Sequence, residues 1–489
     1  MSDLLLGIDE GTSAVKAVVY DLELRPVAEA RQEKRLHHPR PGWVEQDGEE
    51  VLAAVVRAVE EVLQSVRETD PSAEIAAAGL DHQGESVLAW DAERGEALTP
   101  IVTWQDKRSQ EVLDRLDAEG RAEEVRERSG MPLDPYFSAG KLAWLLDHDG
   151  GVAAAREAGT LRLGTVDSWI CDRLGAGFAT DPSTASRTQL GAPDWDERLL
   201  EIFGVPREAL PAIVDTAGDL GTLRHGSWPA ELPLRARCVD QQAALAGAGC
   251  VVPGRVKATY GTGVFVLAHG GDERPQVGGG LVPTVAWRAA GEPVEWAIDG
   301  GVFTAGALLE WLSRDLGLAA DPPALDAAAG QVEGSGGVRV LPALAGMGAP
   351  WWRPEARGVI AGLTSGTRPA HVARAALEAI AWRVADITAT VAEAIDVDVL
   401  RVDGGLTRSA NLLQLQADAA GVPVQTTAVD ATAAGAAALA AVGAGLWPDT
   451  AAIADHIPVG ERTEPRRDDA WREREHGAWR VFVERAAGL

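Results

Sequence analysis

The sequence predicts an α/β protein of two large domains, on three observations: its length, an alternation of apolar strands with amphipathic helical stretches, and a glycine-and-hydroxyl hairpin that opens each half. At 489 residues the chain exceeds what one hydrophobic core ordinarily supports, since domains run to about 150 residues. Hydrophobic residues make up 46% of it and charged residues 24%. That is the balance of a globular protein with substantial cores, not of a disordered or membrane-spanning chain.

The first element is Leu4 to Ile8, an apolar run that reads as a buried strand. Asp9-Glu10-Gly11-Thr12-Ser13 follows as a tight polar turn and Val15 to Tyr20 as the returning strand. Next, Val51 to Val66 carries Val51, Leu52, Val55, Val56, Val59, Val62, Leu63 and Val66 on one stripe, a helix that would pack on a sheet. Gly249 to Gly254 is the candidate junction, which divides the chain into domains 1–249 and 250–489. Directly after it the hairpin returns: Arg255 to Tyr260, then Gly261-Thr262-Gly263, then Val264 to Leu267. Further on, Ala319 to Gly337 is rich in Ala, Pro and Gly and reads as a surface excursion. Val397 to Val402 alternates apolar and charged residues, a short half-buried strand that runs into the glycine-rich turn Asp403-Gly404-Gly405.

Glycine permits the positive φ and close approach that a phosphate-cradling turn requires, and threonine or serine adds a hydroxyl donor. Either hairpin alone could be no more than a hairpin; two of them, each opening half of the chain, point to anion binding. The formal net charge is −28, which repels phosphate backbones and excludes a general binder of nucleic acid or of an anionic membrane. A phosphate ligand must then be held by a local device, such as backbone amides or a metal ion. Neither a GxxxxGK[ST] run nor a GxGxxG fingerprint occurs, so Walker-type and Rossmann readings fall away. Cys171, Cys238 and Cys250 have neither zinc-site spacing nor the even number of a disulfide scaffold, which fits a reducing cytoplasm. The N-terminal apolar stretch is too short for a signal peptide or a membrane span.

Tyr136-Phe137-Ser138-Ala139-Gly140-Lys141-Leu142-Ala143-Trp144-Leu145-Leu146-Asp147-His148 resembles the first signature of the FGGY carbohydrate kinases. Gly358 to Leu363, with His371-Val372 and Ala375 to Glu378 beyond it, resembles the second. Within that family the runs Thr103 to Asp106, Gly164 to Asp167, Ala185-Ser186-Arg187-Thr188, Asp240 to Leu245, Tyr260 to Gly263 and Gly348 to Trp351 are most similar to the glycerol kinase branch. The resemblance covers nearly the whole chain. It implies two ribonuclease-H-like domains of the actin, hexokinase and heat-shock-chaperone superfamily with a cleft between them. The implied activity is ATP-dependent phosphorylation of a small polyol or sugar, glycerol first and four- or five-carbon polyols or ketoses next.

By that resemblance Asp240 is the general base and also holds a substrate hydroxyl; the plainer reading is a helix N-cap. Gln83, Gly84, Glu85, Trp104, Tyr136, Asp240 and Gln241 match the polyol-binding positions, although Trp104 and Tyr136 taken alone would be core aromatics. Asp9 would hold Mg²⁺ through water, or simply stabilise its turn. Thr12, Ser13, Lys16, Gly261, Thr262, Gly263, Gly306, Glu310, Gly405 and Ser409 match nucleotide-side positions. Ser13, Lys16, Glu310 and Ser409 stand where the glycerol kinase pattern has threonine, arginine, glutamine and asparagine. Gly84 replaces an arginine that helps hold a glycerol hydroxyl. Either another residue, such as Arg108 or His82, then reaches into the gap, or a longer polyol fills it. Gly226 to Ala230 lacks the basic glycine-rich loop that binds a sugar bisphosphate in some relatives, so no such inhibition is expected. An actin-like or chaperone-like ATPase stands as the alternative function, and the sequence leaves a homo-oligomer open.

Overall fold

The computed structural model describes residues 3–428 and 430–488, and the chain forms two compact units. Unit 1 comprises Met1–Val251, Thr284–Trp296 and Val429–Pro458; unit 2 comprises Val252–Pro283, Ala297–Ala428 and Val459–Leu489. The first crossing, at Val251, falls within the expected junction. A single cut into 1–249 and 250–489 does not describe the units, because two later segments return to unit 1.

In unit 1 the strands are β1 (Asp3–Glu10), β2 (Ala14–Tyr20), β3 (Pro26–Glu33), β4 (Glu74–His82) and β5 (Leu232–Val239). The sheet runs β5-β4-β1-β2-β3, with the short strand Thr222–Leu223 beyond β5. β1 pairs antiparallel with β2 and parallel with β4, and β4 pairs parallel with β5. Asp9 and Glu10 complete β1 and are not part of the turn, which is confined to Gly11-Thr12-Ser13. Asp9 lies opposite Lys16 on one side and Asp81 on the other. The helix predicted over Val51 to Val66 spans Gly48–Thr69: the Asp47 side chain accepts from the amides of Glu49 and Glu50, and the apolar stripe is buried.

The segment that returns as Ala431–Gly443 is an almost pure alanine and glycine helix. Its composition follows from how closely it packs, since a Cβ on Gly7 or Gly79 would collide with the backbone of Ala433 or Ala436. Gly247 and Gly435 leave the same room against the helix Asp240–Gly247. Backbones approaching this closely fix the ends of β1 and β4 against the start of the helix that carries Asp240.

Unit 2 repeats the topology. Its strands β6 (Arg255–Tyr260), β7 (Val264–Gly271), β8 (Val294–Val302, which belongs to unit 2 from Ala297 onward), β9 (Val399–Asp403), β10 (Val424–Thr427) and β11 (Val459–Thr463) are ordered β8-β7-β6-β9-β10-β11. Again the first strand pairs antiparallel with the second and parallel with the fourth, and the fourth pairs parallel with the fifth. The two hairpins that recur in the sequence are therefore the first two strands of two equivalent sheets. β9 begins two residues later than its alternation suggests. The expected surface excursion at Ala319 to Gly337 holds a helix, Pro322–Ala329, whose Leu325 and Ala329 join the core beside the long helix Pro369–Val391. Among the described residues no helix is long and apolar enough to cross a membrane.

Candidate active site

In unit 1 Asp9 stands at the end of β1, Thr12 and Ser13 in the turn after it, Lys16 on β2 opposite Asp9, Gln83, Gly84 and Glu85 just beyond β4, and Asp240 and Gln241 at the start of the helix after β5. Trp104 and Tyr136 come from other loops of the unit, Trp104 bonding to Thr12 and Tyr136 packing on Trp104. Asp240 is the first residue of the helix Asp240–Gly247, with Val239 in extended backbone as the N-cap. The plainer reading of Asp240 as N-cap is thus displaced by one residue. Asp240 and Gln241 both remain partly exposed.

The carboxylates form one electrostatic group. Burial pushes the Asp9 pKa up to about 7, reinforced by Asp430, Asp240 and Glu10 and opposed by a hydrogen bond with Asp81. Asp81, fully buried in register with Asp9, is pushed well above the usual range, first by burial and then by Asp9 and Asp240. Two facing carboxylates have no donor between them unless one is protonated, and neither Asp81 oxygen meets a donor elsewhere among the described residues. Lys16 pairs with Asp430 at 2.8 Å and Glu29 at 3.6 Å. Burial works against its charge, yet these anions hold its pKa above the ordinary value. Lys16 is therefore committed to Asp430.

Among the described residues no three His, Cys, Asp or Glu side chains form a metal cage. The donors at hand are hard carboxylate oxygens whose charge is unfavourable without a cation. That fits Mg²⁺, which keeps much of its water and binds through one or two carboxylates together with phosphate oxygens.

A closed hydrogen-bond ring joins the first hairpin turn to the expected polyol side. Gln83 Nε2 donates to Glu10 at 3.0 Å and to Gln46 at 2.8 Å, and Gln46 Nε2 donates to the Thr12 carbonyl at 2.7 Å. Trp104 Nε1 donates to the Thr12 hydroxyl at 3.0 Å, the Trp104 amide to Ser86 Oγ at 3.1 Å, and Ser86 Oγ to Gln83 Oε1 at 3.2 Å. Buried Lys34 neutralises Glu10. Trp104 meets Tyr136 edge to face at 5.8 Å, and both rings stay partly exposed, so they form a wall and not a core.

Glu85 is 4% exposed and holds φ 58°, a left-handed backbone that a glutamate adopts only under constraint. Arg187 supplies part of it, donating from Nε to Glu85 Oε1 at 2.6 Å while its guanidinium lies 5.7 Å from the Tyr136 ring centroid. Neither residue expected to compensate for Gly84 does so. Arg108 is bound to Asp106 and Glu45, and His82 contacts the Gln83 carbonyl and Thr184 Oγ1. In the direction a side chain would take from Gly84 the space is occupied: a Cβ there would lie 2.8 Å from Val239 Cγ1. The space beside Gly84 is filled by the residue that precedes Asp240.

Unit 2 gathers Gly261, Thr262, Gly263 and Gly306. The amides of Ala305 and Ala307 donate to the Thr262 carbonyl, and that of Gly306 to the Gly261 carbonyl at 3.0 Å. Gly306 leaves room for this approach, since its Cβ would sit 2.5 Å from the Gly261 oxygen. Thr262 is exposed at the turn. Gly405 opens a 3₁₀ turn and has no neighbour within 4 Å of where a Cβ would stand. Ser409 caps the helix Ala410–Ala420 through the Leu412 amide and donates to Asp326 at 2.5 Å. Glu310 is exposed and paired with Arg314. Ser409 and Glu310 thus both have local partners.

Sequence reasoning passed over Lys141 and Arg187, although both stand inside the motifs it used, and Asp81, near the end of the strand that leads into Gln83. Asp430 carries no local signal apart from the alanine run that follows it.

The N-terminal domain model of the FGGY family of carbohydrate kinases matches residues 4–247, and its C-terminal domain model matches residues 256–444. The chain is 42% identical to proteins named glycerol kinase from Citrifermentans bemidjiense and from Geobacter sp. strain M21, each match covering 99% of both chains. In structure it is similar to Plasmodium falciparum glycerol kinase solved with ADP, with a TM-score of 0.94 at 28% identity, covering 99% of this chain and 98% of that one.

Proposed function

Because the chain belongs to the FGGY family of carbohydrate kinases and is therefore a phosphotransferase, we propose that it moves the terminal phosphoryl group of ATP to a hydroxyl of glycerol. The observation that carries the substrate is the end-to-end match, at 42% identity, to glycerol kinases. The geometry of unit 1 supports the chemistry. Phosphoryl transfer needs positioning and charge stabilisation more than covalent machinery. Asp240, partly exposed at the start of its helix, accepts the proton of the attacking hydroxyl. Glu85, locked by Arg187, accepts from a substrate hydroxyl, while Gln83 and Gln46 hold the strand end in place. Trp104 and Tyr136 supply the apolar wall for the carbon chain.

Asp9 would hold Mg²⁺ through water, and that ion would supply charge neutralisation to the phosphates of bound ATP. Gly11-Thr12-Ser13 and Gly261-Thr262-Gly263 offer amide and hydroxyl donors for phosphate oxygens, each within its own unit. Gly306 lets its backbone close on the Gly261-Thr262-Gly263 turn, and Gly405 leaves the space above its own turn open.

A coupled ADP-release assay with glycerol, erythritol, threitol, ribitol, xylitol, ribulose and xylulose tests the proposal. ADP release that depends on glycerol, with kcat/KM highest for it, is the expected outcome. ATP hydrolysis indifferent to every polyol would instead indicate an actin-like or chaperone-like ATPase, and preference for a longer substrate would move the assignment within the family.

A further inference from the structure

We propose that Lys141 is a positioning residue for the polyol site: its buried ammonium ties together the backbone carbonyls of Glu85, Tyr136 and Phe137, and so fixes the two sides of the polyol wall relative to each other. Lys141 Nζ donates to the Tyr136 carbonyl at 2.5 Å, the Phe137 carbonyl at 3.1 Å and the Glu85 carbonyl at 3.4 Å. An ammonium has three donors and no acceptor, and here it meets three acceptors. The lysine is fully buried.

Packing does not explain a lysine at this place. It lies in the first turn of the helix Ser138–His148, where the helix dipole disfavours a cation, and a methionine would fill similar volume without burying a charge. What the ammonium gains is control of two loops. Glu85 sits at φ 58°, and its carbonyl also accepts from Ser138 Oγ at 3.2 Å. Arg187 holds the same residue by its carboxylate. One cation thus fixes the Glu85 backbone and another its side chain, while Tyr136 is bound through its carbonyl to the first and lies beneath the second. Without the ammonium, Glu85 would be free to leave its left-handed conformation and Tyr136 to drift from Trp104.

The inference rests on the polyol-kinase reading, and one set of kinetics separates the two. In K141M the KM for glycerol should rise about tenfold or more, the scale of losing hydrogen bonds to a charged group. Saturating kcat should stay within about threefold and the Kd for ADP within about twofold, because neither Asp240 nor the nucleotide turns depend on Lys141. K141R, which keeps donors and charge, should recover most of the glycerol affinity. K141Q, a milder variant that keeps a polar end but loses the charge and the reach to three carbonyls, should raise the glycerol KM by about threefold or more and decides the matter if K141M does not fold. A glycerol KM unchanged in folded K141M, or in K141Q where K141M does not fold, overturns the role of Lys141. So does a KM that rises together with the Kd for ADP. A wild-type enzyme that releases ADP with none of the polyols overturns the kinase reading itself.

Discussion

Gly84 stands where the family resemblance implies an arginine, and its side-chain direction is occupied by Val239. Adding one methyl there, in G84A, places a Cβ 2.8 Å from Val239 Cγ1 and 3.5 Å from Cγ2. Ordinary carbon contacts begin near 3.4 Å, so the shorter distance cannot be kept. Val239 has little freedom to yield: it is β-branched, 2% exposed and paired with His82 at the end of β5, and its amide donates to Ser183 Oγ at 3.2 Å. Forcing extra volume into such a place costs about 1–3 kcal/mol. G84A should accordingly lower the unfolding midpoint of unit 1 by several degrees in calorimetry. A cycle with V239A isolates the cause, because the double variant removes the opposing methyls and should be more stable than the sum of the single effects by about 1 kcal/mol. G84R should be worse than G84A and should not create a glycerol-selective enzyme. If G84A is as stable as wild type and the cycle is additive, the space beside Gly84 is empty and the longer-polyol reading regains its footing.

Replacing the proposed base in D240N keeps shape and removes basicity, so turnover should fall about 100-fold or more with ATP binding retained; near-normal turnover would remove Asp240 from the mechanism. Asp9 has a folded-state pKa of about 7 against an ordinary carboxylate value when unfolded, so its ionisation makes stability fall as pH rises between those values and leaves the full penalty above them. D9N should therefore melt higher than wild type at pH 8 without metal while losing phosphoryl transfer, and a lower melting point would contradict the crowding of carboxylates. Burial holds the Lys141 pKa down to about 7 against the pull of Glu85, Asp106 and Asp134, with Arg187 the facing cation on Glu85. The glycerol KM should thus climb as pH passes upward through that value, with the Kd for ADP steady and the rise absent in K141M. The same depressed pKa makes its contribution to stability increase with pH between about 7 and the unfolded lysine value near 10.4.

How much of this was legible in the sequence follows from the range over which each feature is determined. The hairpins and the stripe of Val51 to Val66 are set by neighbours within a few residues, so periodicity was enough to find them. The repeat of one sheet order in both units explains why the same glycine-hydroxyl turn occurs twice. Residues proposed to touch a ligand could be named from motif spacing. Those that hold such residues in place could not: Arg187 lies 102 positions from Glu85, and Asp430 lies 414 from Lys16. The return of Ala431–Gly443 to unit 1 was hidden for the same reason, since it rests on close backbone packing at Gly7, Gly79 and Gly247. Gly84 is the sharpest case. A missing side chain reads as missing volume until the isopropyl group of Val239, 155 positions away in the chain, is found in its place. A substitution at a binding position therefore says which contact is lost, and only the packing around it says whether the site has grown.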